Sequence, residues 1–160
     1  MIEVKVSAMA WDQTNKTPII FLKEINGERY LPIWISSIEA DAIARELQGE
    51  KLPRPLTHDL IKNILNGTNI TLLKVIINNI EDNTFYAILV MEKEGELFEI
   101  DARPSDSIAI ALRMKVPIYV EEEVMEKSGT SIELDDEVKK KALKAYLNNM
   151  DIEDFGKYKL

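Results

Sequence analysis

The sequence TPIIFLKEINGERYLPIWISSIEADAIAREL, residues 17–47, contains two apolar runs around a short polar turn, followed by apolar residues at helical spacing. The two runs are typical of strands, and Gly27 is predicted to supply a positive φ in the turn, so the pair is predicted to form a β-hairpin. The sequence SSIE at 36–39 then matches a capping box, with Glu39 as its acid, and predicts a helix that ends at Gly49. A hairpin followed directly by a helix favours an α+β fold over a doubly wound parallel sheet.

The second half of the chain repeats this pattern. The motif D-[A/S]-I-A-x-x-L occurs at 41–47 and again at 106–112, each time after a hairpin whose turn contains Gly-Glu. Pro104 precedes the second copy and suits the first turn of its helix. The repetition has two explanations, an internal β-β-β-α duplication or the chance likeness of two buried helix faces. In both cases we expect an α+β fold, in which a mostly antiparallel or mixed sheet carries packed helices.

Length and composition exclude several classes of protein and site. With 160 residues, one domain is the default, and we expect it to span 1–130, with an amphipathic helix and tail at 131–160 packed on or beside it. The chain has no cysteine and one histidine, His58, so thiolate sites and multi-histidine metal sites are excluded. No apolar run is long enough to span a membrane and the N-terminal residues do not match a signal peptide, so we expect a cytoplasmic protein without membrane contact.

The net charge is −8 at pH 7, and the acidic excess extends along the whole chain. Tight binding to nucleic acid normally requires clustered lysines and arginines, because they neutralise backbone phosphates and release counterions. The sequence contains no such basic patch. Any contact with DNA or RNA is therefore expected to depend on a few placed cations or on bound metal ions.

Three groups of polar residues fall at predicted helix starts, where unpaired N–H groups and the helix dipole attract carboxylates and phosphates. The groups are Glu39 with Asp41, then Arg54 with His58 and Asp59, and lastly Asp101, Arg103, Ser105 and Asp106. The acids also suit the first turn of a helix for purely structural reasons, and each arginine would equally pair with a neighbouring acid. Helix capping is therefore the alternative explanation for all three groups.

The residue types in these groups suit the binding of phosphate and metal. Arg54 and Arg103 each precede a proline, which holds the arginine backbone extended beside a helix start, where a guanidinium binds an anion in a bidentate manner. The helix dipole favours the neutral form of His58, which suits proton transfer or metal binding, and a hydrogen bond to local backbone is the alternative. Asp101 and Asp106 flank a strand–loop–helix corner and would share a hard cation such as Mg²⁺ or Mn²⁺.

The aromatic residues do not indicate a nucleic-acid surface. Trp34 lies in the apolar sequence PIWI at 32–35 and is predicted to belong to the core. Tyr30, Phe85 and Tyr86 are predicted to pack on the sheet. No base-stacking platform is therefore predicted.

Five blocks of the sequence resemble the bifunctional nuclease domain family, which was long classed as a domain of unknown function. The blocks are LPIWISSIEADAIA at 31–44, PRPLTHDL at 53–60, TFYA at 84–87, DARPSDSIAIALR at 101–113 and PIYVEEEVM at 117–125. The combination of the second and fourth blocks is specific to this family and is not a generic motif. The resemblance implies a cytoplasmic α+β protein that forms a homodimer or another small homo-oligomer. It also implies nuclease activity on DNA and RNA, which is ascribed to plant members of the family.

The candidate residues support two hypotheses. In the first, the chain is a nuclease whose metal generates hydroxide and neutralises the scissile phosphate, whose arginines clamp that phosphate, and whose histidine protonates the leaving oxygen or positions water. The catalytic candidates are His58, Asp59, Asp101 and Asp106; the phosphate-binding candidates are Arg54 and Arg103; the metal-binding candidates are Asp101, Asp106 and Glu39. In the second hypothesis, the same helix starts bind an anionic ligand such as a nucleotide, or the apolar strands bind a protein partner, without catalysis.

Overall fold

Residues 1–131 are the part of the chain that the computed structural model describes, and they form seven strands and four helices. The strands are β1 (Ile2–Asp12), β2 (Thr17–Glu24), β3 (Tyr30–Trp34), β4 (Thr71–Glu81), β5 (Thr84–Lys93), β6 (Glu96–Ala102) and β7 (Ile118–Val120). The helices are α1 (Ser37–Leu47), α2 (Thr57–Gly67), α3 (Pro104–Met114) and α4 (Glu122–Ser128). The predicted helix and tail at 131–160 lie outside the described residues from position 132 onward.

The seven strands join one mixed sheet in the order β3-β2-β1-β7-β4-β5-β6. Pairing is antiparallel within the β1–β3 triplet and within the β4–β6 triplet. Strand β7 lies between the triplets, antiparallel to β1 and parallel to β4. The predicted β-β-β-α order therefore occurs in both halves, as β1–β3 with α1 and β4–β6 with α3. The prediction of an α+β fold with a mostly antiparallel or mixed sheet is confirmed.

The repeated helix motif supplies the contacts between the helices and the sheet. Ile43 and Ala44 in α1 and Ile108 and Ala109 in α3 are all 0% exposed and belong to one hydrophobic core. Helix α3 packs against α1, α2, β4 and β5, and the small alanine side chains let neighbouring helices approach closely. Because α3 contacts both α1 and α2, side chains at its start can reach the starts of those two helices.

Two local predictions are wrong, each for a different reason. Ser36 is the N-cap of α1, but its side chain makes no capping hydrogen bond, and Glu39 pairs with Arg103 instead of completing a capping box. Gly27 does not have a positive φ. A side chain at this position would meet the carboxylate of Glu24, which would have to move, so glycine leaves room here for the Glu24 side chain.

Candidate active site

The starts of α1, α2 and α3 meet in a continuous chain of charged contacts. His58 Nε2 lies 2.9 Å from Asp106 Oδ1, which joins the start of α2 to the start of α3. The other carboxylate oxygen of Asp106 accepts a hydrogen bond from Nε of Arg103 at 2.9 Å. Nη2 of Arg103 lies 2.8 Å from Glu39 Oε1, which adds the start of α1. Four predicted site residues from three separate segments of the chain are thus brought together.

The contact between His58 and Asp106 fixes the imidazole. His58 is only 7% exposed, so its ring is held by packing as well as by the carboxylate. An ionised carboxylate can only accept hydrogen bonds, so in the neutral imidazole Nε2 carries the hydrogen and Nδ1 keeps a lone pair. Nδ1 makes no hydrogen bond within the described residues. The pair therefore has the arrangement of a proton-transfer histidine oriented by an acid.

Arg103 is held by two acids and still presents one nitrogen outward. Its Nε and Nη2 contact Asp106 and its Nη2 contacts Glu39, whereas Nη1 has no hydrogen bond within the described residues. The hydrogen bond and charge of Asp106, and then the charge of Glu39, raise the pKa of Arg103 above its ordinary value. The side chain is 67% exposed. A fixed, exposed guanidinium with a free N–H pair suits a phosphate oxygen.

Asp59 has a structural partner that the sequence did not indicate. Its Oδ1 lies 2.7 Å from Nε of Arg113 in α3, and its Oδ2 accepts from the N–H of Leu56, the N-cap of α2, at 2.9 Å. Burial opposes ionisation of Asp59, but the Leu56 N–H and the Arg113 guanidinium outweigh it and lower the pKa of Asp59. Asp59 therefore caps and anchors the helix that carries His58.

Arg54 and Asp41 lie apart from the chain of contacts at the helix starts. Arg54 is exposed and lines a cavity of about 330 Å³, the Arg54 cavity, together with Lys51 and Lys62. None of these three cations has an ion pair within the described residues. Asp41 pairs with Arg45 one turn further along α1, at 2.9 Å.

A larger cavity of about 470 Å³ adjoins the chain of contacts at Arg103 and Glu39. Trp34 lines it and is 48% exposed, so the prediction that Trp34 belongs to the core is wrong. The reason is that β3 ends at Trp34, where its indole N–H donates to Asp12 at 2.7 Å instead of entering the core. Phe85, at the start of β5, also lines the cavity.

The family model for the bifunctional nuclease domain matches residues 20–133. This chain belongs to the bifunctional nuclease domain family. The match includes both helix-start motifs that carry the resemblance noted above, PRPLTHDL and DARPSDSIAIALR.

Individual relatives differ in how much of their length they share with this member of the family. "Uncharacterized protein Rv1829" of Mycobacterium tuberculosis is 43% identical over 166 residues, which cover 97% of this chain and 98% of the relative. "Bifunctional nuclease 1" of Oryza sativa subsp. indica is 26% identical over 117 residues, 71% of this chain and 35% of the relative. "Bifunctional nuclease 2" of Oryza sativa subsp. japonica is 31% identical over 107 residues, 64% of this chain and 33% of the relative. The chain thus matches about a third of the length of these plant proteins.

In this family member, the three carboxylates predicted to bind metal do not lie together. Glu39 and Asp106 both contact the guanidinium of Arg103, so a cationic group of the protein bridges them. Asp101 is exposed on β6 and has no ion pair with the described residues. No group of three or more acidic or histidine side chains in the described part of the chain is placed to hold a metal ion.

Among the helices within residues 1–131, none is long and apolar enough to cross a membrane.

Proposed function

We propose that the chain is a nuclease that hydrolyses phosphodiester bonds in DNA and RNA. The observation that carries the proposal is the chain of contacts from Glu39 through Arg103 and Asp106 to His58. It combines an anion-binding group and an oriented imidazole, two functions that side chains can contribute to phosphodiester hydrolysis. Similarity to plant proteins that are named bifunctional nucleases supports the same activity.

Each residue in the contact chain has a distinct role in the proposed reaction. Arg103 binds a non-bridging oxygen of the scissile phosphate through Nη1 and stabilises the charge that develops as water attacks. The neutral ring of His58 takes a proton from that water at Nδ1, because Asp106 holds the ring with Nδ1 unbonded. A protonated ring would instead give its Nδ1 proton to the leaving oxygen. Glu39 positions Arg103 and does not contact the substrate phosphate.

Arg54 is proposed to bind a second phosphate of the same strand. The cavity that it shares with Lys51 and Lys62 adjoins Asp59, and Asp59 is next to His58 on α2. The lining also contains three acids, Glu46, Glu50 and Asp59, of which Glu50 pairs with Arg45 and Asp59 with Arg113. The three cations without ion pairs would neutralise backbone phosphates there. The sequence prediction that Arg54 binds phosphate is therefore kept, as a contact outside the catalytic centre.

The test of the proposal is cleavage of labelled single-stranded DNA and RNA oligonucleotides by rigorously purified protein. In His58→Ala we expect kcat/KM to fall at least about 100-fold, because general acid–base catalysis contributes about 10²–10⁴ in rate. Lys5→Ala changes an exposed residue on β1 and should retain the wild-type rate. Equal cleavage by wild type and His58→Ala would contradict the proposal.

Divalent-metal dependence stays a prediction from the sequence, and the same assay tests it. If it is correct, cleavage requires Mg²⁺ or Mn²⁺, EDTA abolishes it, and Asp101→Ala lowers kcat/KM at least about 100-fold. Full activity of wild type in EDTA, or of Asp101→Ala with metal, would remove metal assistance through Asp101 from the proposal.

A second candidate function is the binding of an anionic ligand such as a nucleotide, without catalysis. The acidic composition and the cavity of about 470 Å³ beside Arg103 favour it. In this case the protein does not cleave any oligonucleotide, and a mononucleotide raises its Tm. Cleavage that depends on His58 would exclude this second function.

A further inference from the structure

The cavity beside Arg103 has features that phosphate binding alone does not use. Its wall contains the two aromatic rings of Trp34 and Phe85 as well as Ile33 of β3 and the adjacent Ile35. Two further lining residues, Glu39 and Thr17, each have a side-chain oxygen that is buried without a hydrogen-bond partner within the described residues. Unpaired buried polar atoms are uncommon in folded proteins. The cavity is thus an aromatic pocket whose lining includes residues with unsatisfied polar atoms.

We propose that this cavity is a subsite for one unpaired nucleobase, which stacks on Trp34 while the phosphate of the same nucleotide contacts Arg103. The inference rests on the proposed nuclease function and adds a substrate class to it, single-stranded nucleic acid. In a duplex the base is paired and stacked within the helix, so it would have to be extruded before it could enter the cavity.

The position of Trp34 suits a stacking residue. Its side chain is 48% exposed, which leaves ring surface for a ligand. The hydrogen bond from its indole nitrogen to Asp12 fixes the ring, so little side-chain entropy is lost on binding. That hydrogen bond is also the largest cause of the lowered pKa of Asp12, so the carboxylate stays ionised and remains a strong acceptor.

The size and location of the cavity fit one nucleotide. A volume of about 470 Å³ lies within the range of about 300–1,000 Å³ that small-molecule sites occupy. Arg103 belongs both to the lining of this cavity and to the contact chain that ends at His58. A base in the cavity therefore places its own phosphate at the guanidinium, on the side of the proposed proton-transfer pair.

The experiment measures binding in the His58→Ala background, where the nucleic acid remains intact. Trp11→Phe leaves Trp34 as the single tryptophan, so quenching of its fluorescence reports binding at the cavity. The probes are a single-stranded DNA oligonucleotide, a strand of equal length in which every base is absent, and a blunt duplex. We expect the intact strand to bind about 5- to 150-fold more tightly than the other two, the range for stacking of one base.

Substitutions at Trp34 separate stacking from folding, with binding read by anisotropy of a labelled strand. Trp34→Ala should bind the intact and base-free strands equally, whereas Trp34→Phe, which loses the bond to Asp12 but keeps a ring, should retain the preference. Equal binding of intact and base-free strands by the protein with Trp34 would overturn the subsite, even if cleavage depends on His58. Base-dependent quenching without cleavage by wild type would support the subsite and overturn the nuclease proposal.

Discussion

Arg103 and Arg113 show how far residue types alone identify function. The Arg-Pro sequence correctly places Arg103 as an extended residue beside a helix start, with φ −72 and ψ 145. Arg113 lies in an apolar helix and gives no such signal, yet it is 4% exposed and donates to Asp59 and to the carbonyl oxygens of Ala42 and Ala109. Its partners are distant in sequence, so only the tertiary structure identifies them.

The ionisation of Asp59 should affect stability at low pH. Its pKa lies below the ordinary value of 3.8 in the folded chain, so the stability that it contributes is present above that value and is lost as the pH falls through the lower, folded value. In urea unfolding at pH 7, Asp59→Asn should be less stable than wild type. The difference should shrink at pH values below about 4. A difference that stays constant from pH 7 to pH 3 would contradict this role of Asp59.

At the scale of the helices, Arg113 joins α3 to both of its neighbours. Arg113→Ala removes the donors to Asp59 and to two helix carbonyl oxygens; the Arg113 end of these contacts is buried, and we expect a loss of about 1–3 kcal/mol in the free energy of unfolding. Arg45→Ala is the matched control, because its pairs with Asp41 and Glu50 are more exposed and contribute about 0–1 kcal/mol. Chemical denaturation measures both, and similar losses in the two variants would contradict the assigned role.

The Arg54 cavity predicts a specific change in the dependence of nucleic-acid binding on salt concentration. Arg54→Ala should weaken binding of single-stranded oligonucleotides and lower the slope of log K against log [salt] by about 1, because one phosphate contact is lost. Lys5→Ala, far from the cavity in sequence and exposed on β1, should leave the slope unchanged. An unchanged slope in Arg54→Ala would remove this cavity from the binding surface.

Elements with clear periodicity were predicted well, and the highly charged helix α4 was not. Strand β2 (Thr17–Glu24) has the predicted bounds, because its apolar run is bounded by polar residues at both ends. Helix α4 (Glu122–Ser128) was not predicted, since three consecutive glutamates at 121–123 obscure the apolar face formed by Val124 and Met125. The capping box predicted at 36–39 does not form, because Glu39 pairs with the distant Arg103.

For the whole molecule, the convergence of three helix starts could not be derived from the sequence. The two β-β-β-α halves suggest related positions for α1 and α3, but α2 lies in the connection between them, and its path depends on packing against α3. The family resemblance indicated nuclease activity, while the pairing of Glu39, Arg103, Asp106 and His58 required the structure. The proximity of the three helix starts is thus the main feature of the structure that the sequence did not predict.

A double-mutant cycle on kcat/KM with His58→Ala and Asp106→Asn gives the sharpest check that the helix starts form one active site. Asp106 is proposed to act through His58, so the two effects should not multiply. We expect each single variant to lose about 100-fold or more, and the double variant to lose no more than about tenfold beyond His58→Ala alone. Losses that multiply fully, or a wild-type rate in either single variant, would contradict a shared site.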